Sequence, residues 1–123
     1  MKTIKLSVKQ IYKLNEDYKN VFINNTANFI ADYVPLPLSS RTVNKTHYED
    51  IYILEPNSYY YIEFKEDIDC FNHIHVWDFD DVLMSSGLLI QFNIHKQCLY
   101  VYNTSQNMIY IQQGAIILKT EVE

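Results

Sequence analysis

Two histidines at alternate positions are the most direct sign of chemistry in this chain of 123 residues. On a β-strand, His73 and His75 would project from the same face, because successive side chains alternate between the two faces. Two neighbouring imidazoles are a common beginning of a transition-metal site. His73 and His75 are therefore candidate metal ligands. The alternative interpretation is a pair of half-exposed histidines that bind no metal.

A second candidate site combines an aromatic ring, carboxylates and small polar residues. Trp77 lies next to Asp78 in the sequence, and more acidic residues follow. An aromatic anchor beside carboxylates is typical of a surface that docks on the arginine or lysine of a protein partner. The alternative is a loop rim around a nucleotide site. The candidate partner- or nucleotide-binding residues are Trp77, Asp78, Asp80, Asp81, Ser85, Ser86 and Gly87.

The charge distribution narrows the class of partner. The chain has a formal net charge of −5, and residues 49–81 contain ten carboxylates and one lysine. Such a block repels phosphate, so we expect no direct binding of nucleic acid. It would attract a basic protein or a metal ion. The alternative interpretation is an acidic face that is simply solvated.

The sequence contains no complete catalytic constellation, so we predict no catalytic residues. The only glycines, Gly87 and Gly114, are too few for a glycine-rich phosphate loop. Cys70 and Cys98 form no CxxC motif and are expected to be structural thiols. No apolar run is long enough for a membrane span, and the first residues lack a signal-peptide pattern. We therefore expect a cytoplasmic protein in a bacterial cell that does not contact the membrane.

The spacing of apolar residues predicts a mainly β protein with one helix at its start. Ser7 and Gln10 have the spacing of a capping box, which indicates a helical segment over residues 1–20. A single β domain is predicted over residues 21–123, because short alternating runs recur about every ten residues. The predicted strands are Val21–Asn24, Phe29–Val34, Tyr48–Leu54, Tyr59–Phe64, His73–Phe79, Leu88–His95, Leu99–Tyr102, Met108–Ile111 and Ala115–Thr120.

Prolines and tyrosines add two expectations. Pro35 and Pro37 predict a loop or an edge strand, and the pair Pro56-Asn57 predicts a turn in which Asn57 has a positive φ. The chain has 11 tyrosines, most of them in predicted strands. Exposed tyrosine clusters are typical of interfaces, although the β-propensity of tyrosine explains their number equally well.

The order of these signals resembles the dUTPase and dCTP deaminase superfamily. Leu54-Glu55-Pro56-Asn57 is similar to its Leu-x-Pro-Gly turn, and Leu83 with Gly87-Leu88 keeps the spacing of its Arg-Ser-Ser-Leu-x-x-x-Gly-Leu motif. The segment from Leu99 to Leu118 looks like the end of the family's domain. The resemblance implies a distorted jelly-roll (β-clip) fold and, since members are usually trimers, a homotrimer.

The departures from the superfamily fall on its chemistry. Asp80-Asp81-Val82 stands where Arg-Ser-Ser contacts the triphosphate, and two carboxylates would repel that group without a metal. The stretch 89–97 has neither the catalytic acid nor the glycines of the family, and no glycine-rich arm follows the last predicted strand. The resemblance therefore implies a kept fold with lost catalysis. No cofactor is expected, except Mg²⁺ if a nucleotide binds.

Three hypotheses of function follow. The first is a non-catalytic dUTPase-like protein that binds a host or phage protein or a deoxynucleotide. Its frequent Ile, Asn, Tyr and Lys fit A/T-rich codons and suggest a phage or mobile element. The second is an enzyme of the same superfamily that hydrolyses dUTP or dCTP. The third is an acidic inhibitor of a nucleic-acid-binding host protein, because residues 116–123 resemble the ends of some phage inhibitors of type II CRISPR nucleases.

Overall fold

The structure is a computed structural model that describes residues 2–14, 33–66, 74–79, 85–93 and 98–122. The described part of the chain is mainly β and forms antiparallel strands. The strands are β1 (Lys2–Leu14), β2 (Tyr33–Pro35), β3 (Ser39–Val43), β4 (Thr46–Leu54), β5 (Tyr59–Phe64), β6 (Ile74–Phe79), β7 (Leu88–Asn93), β8 (Cys98–Asn103), β9 (Ile109–Gln112) and β10 (Ile116–Val122).

The strands form two sheets around a shared core. The larger sheet has the order β6-β10-β1-β5-β8-β7, with β2 paired to β1, and the smaller sheet has the order β3-β4-β9. Side chains of both sheets meet between them, since Leu54 and Ile111 of the smaller sheet pack with residues of β1, β5 and β8. The most deeply buried members of this cluster are Leu6, Val8, Ile11, Tyr52, Leu54, Tyr60, Ile62, Leu99 and Leu118.

The predicted N-terminal helix is wrong over the described residues 2–14, which form β1 instead. Two irregularities in the strand explain the mistake. The register shifts between Leu6 and Ser7 and again between Val8 and Gln10, so that Val8 and Ile11, three apart, are both buried. A β-bulge inserts one residue and thereby produces a spacing that resembles a helix. Pairing with β10 and β5 then fixes the strand.

Ser7 has a different role from the predicted helix cap. Its backbone N–H donates to Oε2 of Glu66 at 2.8 Å, and its hydroxyl donates to Oε1 at 2.5 Å. Lys65 N–H in turn donates to the Ser7 carbonyl at 3.0 Å. The residue therefore secures the bulge of β1 to the end of β5.

The other strand predictions agree well with the structure where residues are described. Tyr59–Phe64 is confirmed residue for residue as β5, and the predicted strands from Tyr48 onwards correspond to β4 and β6–β10 with small shifts at their ends. The proline-rich stretch contains β3, which is an edge strand of the smaller sheet. Val21–Asn24 and most of Phe29–Val34 lie outside the described residues.

Turn chemistry follows the expectation from the sequence. Asn57 has a φ of 57°, as predicted for the Pro56-Asn57 turn. Asn44 and Lys45 have φ values of 50° and 67° and join β3 to β4 as a two-residue loop. Positive φ at both positions defines the type I′ turn, whose twist suits a β-hairpin.

Candidate functional site

Three segments that carry the family resemblance meet in space. We call them the junction and define it as residues 54–58, 85–88 and 103–107. Asn103 is fully buried at its centre. Its Nδ2 donates to the carbonyls of Leu54 at 3.1 Å and Asn107 at 2.9 Å, and its Oδ1 accepts from the Ser105 N–H at 3.0 Å and hydroxyl at 2.7 Å. An amide has two donors and two acceptor positions, so Asn103 is saturated by its own chain.

The main chain of Asn103 reinforces the same contacts. Its N–H donates to the Ser58 carbonyl at 3.1 Å, and its carbonyl accepts from the Asn57 N–H at 2.8 Å. Tyr60, directly after this turn, accepts the Glu55 N–H on its hydroxyl at 2.6 Å. The turn that resembles the Leu-x-Pro-Gly motif is thus held against the end of β8 by internal hydrogen bonds.

Gly87 closes the third side of the junction. Its carbonyl accepts hydrogen bonds from the Thr104 N–H at 3.0 Å and from the Thr104 hydroxyl. A Cβ at Gly87 would lie 2.9 Å from Cβ of Ser105, and φ is +95°. Glycine is therefore required here because the β8–β9 loop packs against it and because of its left-handed backbone. Ser85 is exposed and Ser86 partly buried beside it.

The remaining candidate residues are placed only in part. Trp77 and Asp78 lie on β6, where they pair with Thr120 and Lys119 of β10. β6 and β7 are at opposite ends of the larger sheet in its strand order. Asp80 lies outside the described residues. Asp81 and His73 lie outside the described residues as well, and His75 belongs to the backbone of β6.

Metal binding by the two histidines stays a prediction. Within the ranges that the structure describes, no three or more His, Cys, Asp or Glu side chains come together as metal ligands.

A cluster of aromatic rings covers the face of the larger sheet opposite the core. Tyr12 stacks on Tyr61 with 4.4 Å between ring centroids and 11° between planes, and Tyr33 meets Tyr61 edge-on at 5.0 Å. Tyr100 is 6.0 Å from Tyr61. Tyr59 and Tyr102 form a second stacked pair, with 4.3 Å between their ring centroids. We call this surface the tyrosine face; its members are Tyr12, Tyr33, Tyr59, Tyr61, Tyr100 and Tyr102.

Strand register explains why these rings meet. Tyr12, Tyr61 and Tyr100 are directly opposite one another on β1, β5 and β8, and Tyr59 is opposite Tyr102. Opposed residues of antiparallel strands share a face. The alternate residues point into the core, as Tyr60, Ile62 and Leu99 do. Tyr59 is 52% exposed, and the neighbouring Leu89, opposite Tyr102 on β7, is 64% exposed.

Burial raises the pKa of three of the phenols of this face, those of Tyr33, Tyr61 and Tyr100. Burial, together with nearby Tyr12 and Glu63, raises the pKa of Tyr61 to about 12. Burial also raises the pKa of Tyr33, and the nearby Tyr100 is the next cause. Burial likewise raises the pKa of Tyr100, and there Cys98 is the next cause. The hydroxyls of Tyr33, Tyr61 and Tyr100 are therefore neutral at physiological pH, and neutral hydroxyls beside apolar ring edges are groups suited to binding.

The smaller sheet has an outward groove that sequence reasoning missed. Its volume is about 280 Å³, and its lining residues are Val43, Tyr48, Ile51, Tyr110 and Gln112. Ile51 is 3% exposed and forms the floor, whereas Tyr48 and Tyr110 are about two-fifths exposed at 41% and 42%. The high density of tyrosines was the signal in the sequence that could have indicated this groove. The groove itself, however, depends on which strands become neighbours in the smaller sheet.

Comparisons with known proteins add no family assignment. No family model, curated protein or solved structure matches the chain. The described part of the chain contains no helix with the length and hydropathy of a membrane-spanning segment.

Proposed function

We propose that the protein is a non-catalytic binding protein that contacts a protein partner through the tyrosine face. The observation that carries this proposal is the pair of ring clusters on the outward side of the larger sheet, with Tyr59 and Leu89 more than half exposed at 52% and 64%. Tyrosine buries a large area and has few rotatable bonds, so it contributes strongly to protein interfaces at low entropic cost.

Charge favours a protein over a phosphate-bearing ligand at this face. The chain carries a net charge of −5. Lys9, near the edge of the tyrosine face, has its ammonium 3.7 Å from the carboxylate of Glu63. Phosphate recognition needs an excess of cationic donors, and a lysine shared with a carboxylate provides little. Exposed tyrosines, in contrast, bind apolar and polar protein surfaces without requiring a positive field.

A dUTPase-like jelly-roll scaffold is part of this proposal. The junction supports this scaffold. There the turn that contains Pro56 and the residue Gly87 both contact the end of β8, although the three are far apart in the sequence. The groups of that junction that resemble the nucleotide motifs bond to one another, as Asn103 and Gly87 show. This use of the motif residues favours a structural role for them and supports partner binding at another surface.

The test compares captured proteins between matched variants. Tagged protein is incubated with lysate of a low-GC bacterium, cross-linked and analysed by quantitative mass spectrometry. The double variant Tyr59→Ser with Leu89→Ser should lose a specific partner by about 30-fold or more, as expected for a loss of at least about 2 kcal/mol. The matched control is Met108→Ser, whose side chain is 51% exposed and lies outside both the tyrosine face and the groove of the smaller sheet.

Other outcomes would replace the proposal. Equal capture by the double variant and the control would exclude the tyrosine face. Loss of capture in the triple variant Asp78→Asn, Asp80→Asn and Asp81→Asn, together with strong salt sensitivity, would support the acidic inhibitor. A thermal shift with dUTP or dCTP, followed by turnover with Mg²⁺, would support the nucleotide enzyme.

A further inference from the structure

The edge of the smaller sheet offers a binding site distinct from the tyrosine face. β3 has β4 on one side and no described strand on the other. Residues Ser40–Val43 of β3 are exposed, and Ser39 is partly buried. The outward groove with Ile51 as its floor begins at Val43, the last residue of this strand. Among the described residues, an unpaired strand edge and an apolar groove are thus adjacent.

The hairpin geometry identifies which backbone groups of β3 point outward. Asn44-Lys45 is a two-residue loop closed by the pair Val43 and Thr46. The pair that closes such a loop exchanges hydrogen bonds across the hairpin. The alternation along a strand then directs the N–H and carbonyl of Thr42 away from β4. No described strand pairs with these groups, and their direction suits hydrogen bonds to an added strand.

Side chains give this edge its chemical preference. Arg41 and Val43 are two residues apart, so both lie on one face of β3, and Arg41 is directly opposite Tyr48 of the groove. Arg41 is exposed, with Nη1 donating to the Ser40 carbonyl at 2.9 Å. Glu49 follows Tyr48 and therefore projects to the other face, where it lies 3.7 Å from His47. On the groove face, Arg41 has no carboxylate partner within salt-bridge distance among the described residues.

We propose that β3 binds an extended segment of a protein partner as an additional strand. The segment carries an apolar side chain opposite Val43 and a carboxylate opposite Arg41, two residues apart. Main-chain hydrogen bonds to Thr42 supply affinity, and the alternate side chains supply specificity. The apolar side chain lies against the rim of the groove formed by Val43 and Tyr48, while the carboxylate pairs with the guanidinium.

A second copy of β3 is disfavoured as the occupant, because its sequence SSRTV contains no carboxylate to pair with Arg41. Two β3 strands paired antiparallel about their central residue would place Arg41 opposite Arg41. Like charges directly opposite one another destabilise a strand pair. A charged residue in an edge strand is a known protection against self-pairing, and here it also selects for an acidic partner.

The experiment uses a synthetic peptide and the full chain. The probe is fluorescein-labelled Thr-Glu-Thr-Ile-Thr-Glu-Thr, whose two carboxylates allow either strand direction, and its control has Lys in place of both Glu. Fluorescence polarisation measures both dissociation constants. We expect the acidic peptide to bind wild type about fivefold more tightly than the basic one, the ratio that corresponds to one favourable cross-strand charge pair. The Arg41→Glu variant should reverse this preference.

A backbone variant tests the strand pairing independently. Thr42→Pro removes the outward N–H without removing a ladder bond to β4, and Thr42→Val is the matched control that keeps it. The proline variant should lose binding of the acidic peptide, while the valine variant retains it. Circular dichroism and the melting temperature verify that both fold.

Three results would overturn the proposal. The first is the absence of binding to wild type up to about 1 mM peptide, a very weak affinity by any standard. The second is equal binding of the acidic and basic peptides to wild type and Arg41→Glu. Unchanged binding by Thr42→Pro would show that a peptide uses the groove without pairing to β3, which also contradicts the proposal.

Discussion

The junction and the tyrosine face meet on one strand, β8, where Tyr102 and Asn103 are neighbours. They use their polar groups in opposite ways. Asn103 is 0% exposed, and its side-chain amide makes all its hydrogen bonds within its own chain. Tyr102, in contrast, stacks on the ring of Tyr59, which is 52% exposed. The alternation of strand side chains separates the two roles. Polar residues at a strand end therefore hold loops in place, while the aromatic residues beside them are available to a partner.

Removing the centre of the junction should cost the most stability. Asn103→Ala removes the partner of the Leu54 carbonyl, in a buried place, and of the Ser105 N–H, in a partly buried one. We expect a loss of about 3 kcal/mol in the free energy of unfolding, because each buried unsatisfied group costs about 1–3 kcal/mol. Urea unfolding measures it. The control Tyr59→Ser, on the tyrosine face, should lose less than about 1 kcal/mol.

If Asn103→Ala lowers the free energy of unfolding by less than about 1 kcal/mol, the contrast between a closed junction and an accessible tyrosine face is contradicted. It would mean that water replaces the amide and that the junction is open to solvent. The same measurement on Asn103→Asp would then reveal whether a charge is tolerated there, as an accessible ligand site would allow.

The second prediction separates close packing from backbone strain. Gly87→Ala and Gly114→Ala both place a Cβ on a left-handed residue, with φ of +95° and +84°. At Gly87 the new atom meets Cβ of Ser105 at 2.9 Å, but at Gly114 it meets only the flexible Lys65 Nζ at 3.4 Å. We expect losses of about 3 and about 1 kcal/mol respectively, measured by thermal unfolding. Equal losses would show that the junction adds nothing to the intrinsic strain.

Much of the strand pattern was predictable because it is local. Tyr59–Phe64 alternates, with Tyr60, Ile62 and Phe64 pointing into the core, so period two alone located β5. The start of the chain was misread for an equally local reason. The register shifts in β1 make Val8 and Ile11 appear on one helical face, and only the pairing with β10 and β5 decides otherwise.

Single residues of the junction and of the tyrosine face can be recognised in the sequence, but the contacts between them cannot. The spacing of Gly87 and the asparagine at the end of β8 was apparent in the sequence, whereas their contact through Thr104 depends on a tertiary arrangement. Similarly, the sequence contains the tyrosines, but Tyr12 stacks on Tyr61 only because β1 and β5 pair in a register that brings together two residues 49 positions apart. The periodicity of a sequence does not specify which distant strands pair. It therefore does not predict surfaces that depend on such pairing.

The smallest expected effect is an alkaline destabilisation specific to the tyrosine face. The pKa of Tyr61 is raised to about 12 by burial, above the value of about 10 for an unfolded phenol. Because the folded state binds the proton more tightly, stability is complete below about pH 10 and declines as the pH rises from about 10 to about 12. Tyr61→Phe keeps the ring and removes this ionisation. Between about pH 10 and about pH 12, the melting temperature of the variant should therefore fall less than that of wild type. Circular dichroism and phenolate absorbance follow the change.

The matched control for the missing hydroxyl is Tyr59→Phe, which removes one from the more exposed pair of the same face. Tyr52 and Tyr60 in the core also have pKa values raised by burial, so wild type and every variant share a common alkaline decline. Only the difference between Tyr61→Phe and wild type reports on the tyrosine face. If the two decline in parallel up to about pH 12, the ring cluster around Tyr61 is hydrated in solution, and its role as a preformed docking surface is lost.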